Sequence, residues 1–240
     1  MGFINRFDLN FFISQFGCRY FVETGTGQGI SLKHAASHLG FKTCFSCEIM
    51  EELFHKIQPL TADPRIVIEQ ASSETFLRNL LPRLDGQVPC LFWLDAHFPG
   101  ADFGLRKFWE EKDEQIRLPL EREMQIIRDA RPEGQDVILM DDLRIYENGR
   151  FENGNVPPEA NTLPSSARNI QFIYRIFGDT HRIIRCYWDE GYVILLPRKK
   201  RAALALWSVV WPKKKVTRTL KRWAREGICS SSWWSRLPVG

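Results

Sequence analysis

Glu23-Thr24-Gly25-Thr26-Gly27-Gln28-Gly29 follows the apolar run Tyr20-Phe21-Val22 and precedes a helix-forming stretch that begins at Ile30. Glycines at alternate positions allow a tight turn and let a ligand approach the backbone closely. The helix beyond them offers unpaired N–H groups at its positive dipole end. Further along, acids close three apolar runs: Glu48 ends FSCE, Asp95 ends LFWLD with His97 two residues on, and Asp141-Asp142 end VILMDD. Carboxylates at such positions accept hydrogen bonds from ligand hydroxyls or hold a hard divalent cation. An imidazole with its ordinary pKa of about 6.5 suits proton abstraction near neutrality.

The elements that must position these groups alternate regularly. The patterning predicts strands over 19–23, 42–48, 65–69, 88–95 and 136–141, followed by helices over 30–39, 50–60, 73–81, 118–130 and 166–177. Short apolar runs alternating with helical stretches indicate βαβ units and a mostly parallel sheet. HRIIRCYW and GYVILLP, separated by Asp189-Glu190-Gly191, then read as a hairpin. The expected fold is α/β, a doubly wound, seven-stranded, mostly parallel sheet with a C-terminal antiparallel hairpin that supplies an antiparallel edge strand. Two long loops, 97–117 and 143–164, follow strand C-terminal ends, where open α/β sheets bind ligands.

The turn spacing is Gly-x-Gly-x-Gly, not the Gly-x-Gly-x-x-Gly of dinucleotide sites, and no Gly-Lys-Ser/Thr follows as a phosphate loop requires. An acid two residues before the first glycine completes a pattern that resembles motif I of class I S-adenosylmethionine (SAM)-dependent methyltransferases, with a Rossmann-like sheet. The resemblance assigns Glu23, Gly25, Thr26, Gly27 and Gly29 to the cofactor loop, with the acid helping to hold the amino-acid end of SAM. Glu48 stands where that family carries an acid for the ribose hydroxyls, and it also suits the first turn of a helix. After strand three the chain reads Gln70-Ala71-Ser72-Ser73 in place of the family's frequent acid. Ser72 or Gln70 is the candidate adenine contact, and Ser73 the candidate helix cap.

Strands four and five lie side by side in such a sheet, which brings Asp95, Asp141 and Asp142 together. Three neighbouring carboxylates resist ionising unless a cation compensates, and Mg²⁺ favours an all-oxygen anionic site. This arrangement resembles metal-dependent O-methyltransferases of the catechol and macrolide-sugar types. It implies Asp95, Asp141 and Asp142 as metal ligands, with Asp95 also beside the cofactor. The Lys base of catechol-type enzymes is replaced by Phe98, so Asp95 and His97 are the catalytic candidates, His97 either as base or as an orienting group. A metal-free site with one of them as base is the alternative, and so are bland roles: an Asp142–Arg144 surface pair, or Asp95 capping a turn.

The 240 residues are 44% hydrophobic and 26% charged, and the net charge is +4, which rules out a disordered chain or a pure coiled coil. That charge conceals an uneven distribution: residues 198–240 carry twelve Lys/Arg against Glu226 alone, leaving residues 1–197 at −7. The expected organisation is a methyltransferase domain over 1–197 and a basic, Trp-rich tail over 198–240. The tail suits an anionic membrane surface and, equally, a segment packed on the domain or without fixed structure; it suits nucleic acid less well. No apolar run nears the ~20 residues that span a bilayer, so the expected location is the cytoplasm, with peripheral contact at the inner face of the membrane. The scattered cysteines, Cys44-x-x-Cys47 included, read as buried thiols because no second pair stands at zinc spacing. The expected activity is SAM-dependent O-methylation of a hydroxylated small molecule or glycan, assisted by a divalent cation. An RNA methyltransferase guided by the tail and a non-catalytic adaptor are the alternatives.

Overall fold

The computed structural model describes residues 4–101, 103–107, 110–156, 163 and 168–199; the tail from residue 200 onward and the start of the expected 166–177 helix lie outside them. Seven strands form one sheet in the order β3-β2-β1-β4-β5-β7-β6: β1 Tyr20–Thr24, β2 Thr43–Glu48, β3 Ile66–Gln70, β4 Cys90–Leu94, β5 Val137–Met140, β6 His181–Cys186 and β7 Tyr192–Pro197. β1 to β5 pair in parallel, whereas β7 pairs antiparallel with both β5 and β6. The reversed strand is therefore not at the edge, as the sequence suggests. It inserts between β5 and β6 because VILLP, buried at every position, needs neighbours on both sides. The more amphipathic β6, with exposed Arg182 and Arg185, takes the edge.

The central strands are apolar throughout because both faces of the sheet are covered. CLFWL and VILM are fully buried, and their side chains alternate between two cores. On one face, Phe92, Ile138 and Met140 pack with Phe76, Met124 and Ile173, which come from α4 (Ser73–Leu80), α6 (Leu120–Ala130) and α7 (Gln171–Phe177); α3 (Glu51–Ile57) and the short α5 (Glu114–Arg117) precede α4 and α6 in the chain. On the other, Leu91, Trp93 and Leu139 pack with Leu32 and Ala35 of α2 (Ile30–Ala36) and with Phe7, Phe12 and Phe16 of the N-terminal segment. That segment begins its helical run with α1 (Leu9–Phe11), capped by Asp8. It is tied down where Phe7 meets Tyr192 edge-on at 5.2 Å and Arg6 pairs with Asp189 at 2.5 Å. All described cysteines are free and buried, Cys44 and Cys47 included, and burial pushes the Cys44 thiol up to about 12. Neither is therefore a ready nucleophile or ligand.

The chain switches direction across the sheet between β1 and β4, and the crevice at such a switch point is where these sheets bind ligands. Every acid singled out in the sequence stands at or just past the C-terminal end of β1, β2, β4 or β5.

Candidate active site

A cleft of about 520 Å³ opens at that switch point. Its floor is the turn from β1 to α2. Gly25 adopts φ +78°, and a Cβ there would stand 2.7 Å from the Asp95 carbonyl and 2.8 Å from the Ala96 Cα. Only glycine lets the turn sit this tightly against the end of β4. The N–H groups of Gly25 and Thr26 donate to the Cys47 carbonyl at 3.2 and 3.0 Å, and that of Gly27 donates to Glu48 Oε2 at 2.8 Å. These donors point back into the fold, so the turn provides close approach rather than a phosphate cradle.

Gly25, Thr26, Gly27, Glu48, Ser72, Asp95 and His97 line the cleft together. Glu48 is fixed by its two accepted N–H bonds, from Gly27 and, at 2.8 Å, from Met50. Burial raises its pKa and these bonds oppose the rise. Ser72, not Ser73, caps α4: its hydroxyl accepts from the Thr75 N–H at 3.3 Å while facing the cleft. Gln70 does not line the cleft. Gly29, at φ +73°, lies against Leu60 and Ile57 and shapes the turn from outside.

Glu23 is 1% exposed and sits under the floor, outside the cleft lining. Ser46 Oγ lies 2.6 Å from its Oε2, Thr26 Oγ1 approaches Ser46 Oγ, and Thr26 Oγ1 also reaches the Cys47 carbonyl at 3.0 Å. Burial, opposed by the Ser46 hydrogen bond and reinforced by Glu48, lifts its pKa to about 8.

At the other wall Asp95 follows β4, its N–H donating to the Thr24 carbonyl at 3.1 Å. His97 stands between two acids: Nε2 bonds Asp142 Oδ2 at 2.6 Å and Nδ1 is 3.6 Å from Asp95 Oδ1. Burial alone would lower the His97 pKa, but the adjacent Asp142 charge and hydrogen bond, then Asp95, overcome it and raise it to about 10. Burial and the neighbouring Asp141 push the Asp95 carboxyl well up. Burial and Asp142 push Asp141 to about 8. Burial would also raise Asp142, but the His97 charge and hydrogen bond, with Arg144, bring it below its ordinary value.

This arrangement bears on two expectations. The sequence offers His97 as a proton acceptor on its ordinary pKa; beside Asp142 it already carries its proton at neutral pH. The sequence also implies a divalent ion on Asp95, Asp141 and Asp142. Among the described residues no three His, Cys, Asp or Glu side chains are grouped to hold a metal. Both Asp142 oxygens are engaged, Oδ2 by His97 and Oδ1 by Arg144 at 3.2 Å, and Asp142 takes a left-handed φ of 52° to serve both. His97 and Arg144 compensate Asp142 alone, and in this arrangement the residues do not fit a divalent ion.

Described residues of loop 97–117, Phe98, Gly100, Phe103 and Ile116, line the cleft, and the Phe103 ring would lie 2.5 Å from a Cβ at Gly27. The described part of the second loop does not line the cleft. Its Leu143 and Arg144 N–H groups donate to the Gly191 and Glu190 carbonyls, which pins the end of β5 to the hairpin and sets Asp142.

Glu123, on α6, is a further residue of this corner that motif spacing does not point to. Its signal is positional: Leu120, Met124 and Ile127 mark the core-facing stripe of α6, and an acid at 123 falls within it.

No protein-family model matches the chain, and no curated protein matches it in sequence. Solved structures do match. A provisionally assigned caffeoyl-CoA O-methyltransferase from Staphylococcus aureus superposes with a TM-score of 0.51 at 11% identity, covering 79% of this chain and 80% of that one. A provisionally assigned methyltransferase from Thermobifida fusca YX gives 0.49 at 16% identity, covering 79% and 77%. Spermidine synthase from Thermotoga maritima gives 0.44 at 14%, covering 74% of this chain and 53% of that one. With its strand order and reversed β7, the chain has the Rossmann-like fold of class I SAM-dependent methyltransferases.

Proposed function

We propose that the chain is a SAM-dependent methyltransferase acting on a hydroxyl oxygen of a small molecule or glycan. The observation that carries the reading is one cleft in which the glycine turn and Glu48 face Asp95 and His97. The turn has the close-approach geometry that a cofactor backbone needs, and Glu48 presents a fixed carboxylate suited to a ribose diol. Bound there, SAM would supply a methyl group activated by its sulfonium: the bond from the acceptor oxygen to the methyl carbon would form as the carbon–sulfur bond breaks and a neutral thioether leaves. In its ionised form Asp95 takes the acceptor's proton. Its raised pKa makes the ionised form a stronger base than an exposed carboxylate. His97, held charged by Asp142, orients Asp95 and stabilises negative charge at the acceptor oxygen. Loop 97–117 excludes water and forms the acceptor side of the cleft.

The Mg²⁺-assisted form of the reaction competes with this one, and it requires Asp142 to exchange His97 and Arg144 for the metal. The test is calorimetry with SAM and with NAD, followed by methyl transfer in excess EDTA. SAM binding without NAD binding, and turnover that survives EDTA, support the metal-free form. Binding of NAD alone overturns the reading. No described helix is long and apolar enough to cross a membrane. For residues 198–240 we propose contact with an anionic membrane surface, supported by their charge of +11 and five of the eight tryptophans. RNA guidance by that segment is the second use that its composition allows.

A further inference from the structure

Glu123 is 1% exposed. The Ser73 and Thr24 hydroxyls donate to its carboxyl group, which ties together α6, the start of α4 and the end of β1. Its Oε1 has no hydrogen-bond partner among the described groups. A buried carboxyl oxygen left without a partner is costly enough that native structures rarely keep one.

Glu123 also lines a small pocket of about 10 Å³ behind the cleft wall, and the other polar walls of that pocket are His97, Asp141 and Tyr146. The volume is close to that of a single water, and a buried water needs two to four polar partners. An apolar occupant would leave the polar walls unsatisfied, and no three ligating side chains converge for a metal among the described residues.

We propose that this pocket holds one resident water bridging Glu123 Oε1 to the His97–Asp141 corner, and that Glu123 is thereby a positioning residue for that corner. The water donates to Oε1 and shares its remaining bonds with His97 and Asp141. It thus links the orientation of the imidazole to a carboxyl group anchored on three elements of the scaffold. The water site stands on the geometry alone, whereas the part it plays in turnover rests on the methyltransferase reading.

The decisive measurement is a crystal structure of the full chain at a resolution that shows ordered solvent. The expected result is density within about 3.2 Å of Glu123 Oε1 and of at least one of His97 and Asp141. A pocket without density, or Oε1 bonded directly to a protein group, overturns the proposal. For the positioning role, the ¹⁵N–¹H imidazole signals of His97 are compared in wild type, Glu123→Gln and Glu123→Leu. The amide variant should keep the wild-type signals, whereas the leucine variant, which cannot hold the water, should shift them. Unmoved His97 signals in folded Glu123→Leu overturn the positioning role. If that variant does not fold, wild-type density decides the water, and Glu123→Met, closer in shape and equally unable to anchor the water, takes its place: shifted His97 signals support the role and unmoved signals overturn it. Neither readout needs SAM, so a wild-type chain that fails to bind SAM in calorimetry overturns the methyltransferase reading separately.

Discussion

Replacing Glu23 by glutamine should flatten the dependence of stability on pH, and the reason lies in a proton count beneath the glycine turn. Three oxygen–oxygen contacts run in series, Glu23 to Ser46, Ser46 to Thr26, and Thr26 to the Cys47 carbonyl. Two hydroxyls supply two protons, so the chain closes only when Glu23 carries the third. A carboxyl group with a pKa of about 8 in the fold against 4.5 ordinarily binds its proton more tightly when folded. Its stabilising contribution is full below about pH 4.5 and is lost as pH rises through 8, by at most about 5 kcal/mol. The amide in Glu23→Gln would donate to Ser46 as the protonated acid does, and it does not titrate. Between pH 5 and 8 the wild type should therefore lose about 4 kcal/mol relative to Glu23→Gln, on the order of 1.5 M in the urea midpoint. The assay is urea unfolding of both proteins at half-unit pH steps. The other shifted acids are common to both proteins, and of them only Glu48 and Asp95, which feel the Glu23 charge, leave a smaller residual in the difference. Parallel curves from pH 5 to 9 would refute the reasoning and mean that Glu23 is ionised beneath the turn.

Gly25→Ala should abolish SAM binding in calorimetry and lower the thermal midpoint, because the new methyl group meets the Asp95 carbonyl at 2.7 Å with φ at +78°. Glu48→Ala should weaken SAM by about 1–3 kcal/mol, the usual effect of losing a hydrogen-bonded charged partner; an unchanged Kd would remove Glu48 from the site. Asp142→Asn should bring the His97 pKa down from about 10 towards its ordinary value. The stability from the ion pair is full below about pH 6.5 and is lost as pH rises through the folded value, so the variant should lose several kcal/mol at pH 7 and little at pH 10, read by NMR titration and denaturant unfolding. Deleting residues 198–240 should abolish retention on anionic vesicles at low salt while leaving SAM affinity unchanged; full-length protein that binds neither vesicles nor RNA at any salt would refute a role in docking.

The succession of strands and helices along the chain, the glycine turn and the positions of the terminal acids are readable from the sequence, because each depends on local patterning. Apolar runs with acids at their ends become strands of a covered parallel sheet, and parallel strands put all those ends on one edge. Alternate glycines mark a turn that only φ > 0 can make. The ionisation of those acids is not local. His97 lies two residues from Asp95 in the chain, yet its stronger partner is Asp142, 45 residues on. That bond exists because β4 and β5 pair in register and because the hairpin pins the residues after β5. The place of β7 between β5 and β6 is likewise decided by competition between two strands for the covered position. Glu23 and Asp95 look alike as strand-end acids, but one faces Ser46 under the floor and the other the open cleft. Desolvation and charge pairing act through space, so which acid lies buried beneath the turn, which faces the cleft and which is an ion-pair partner was decided by tertiary structure alone.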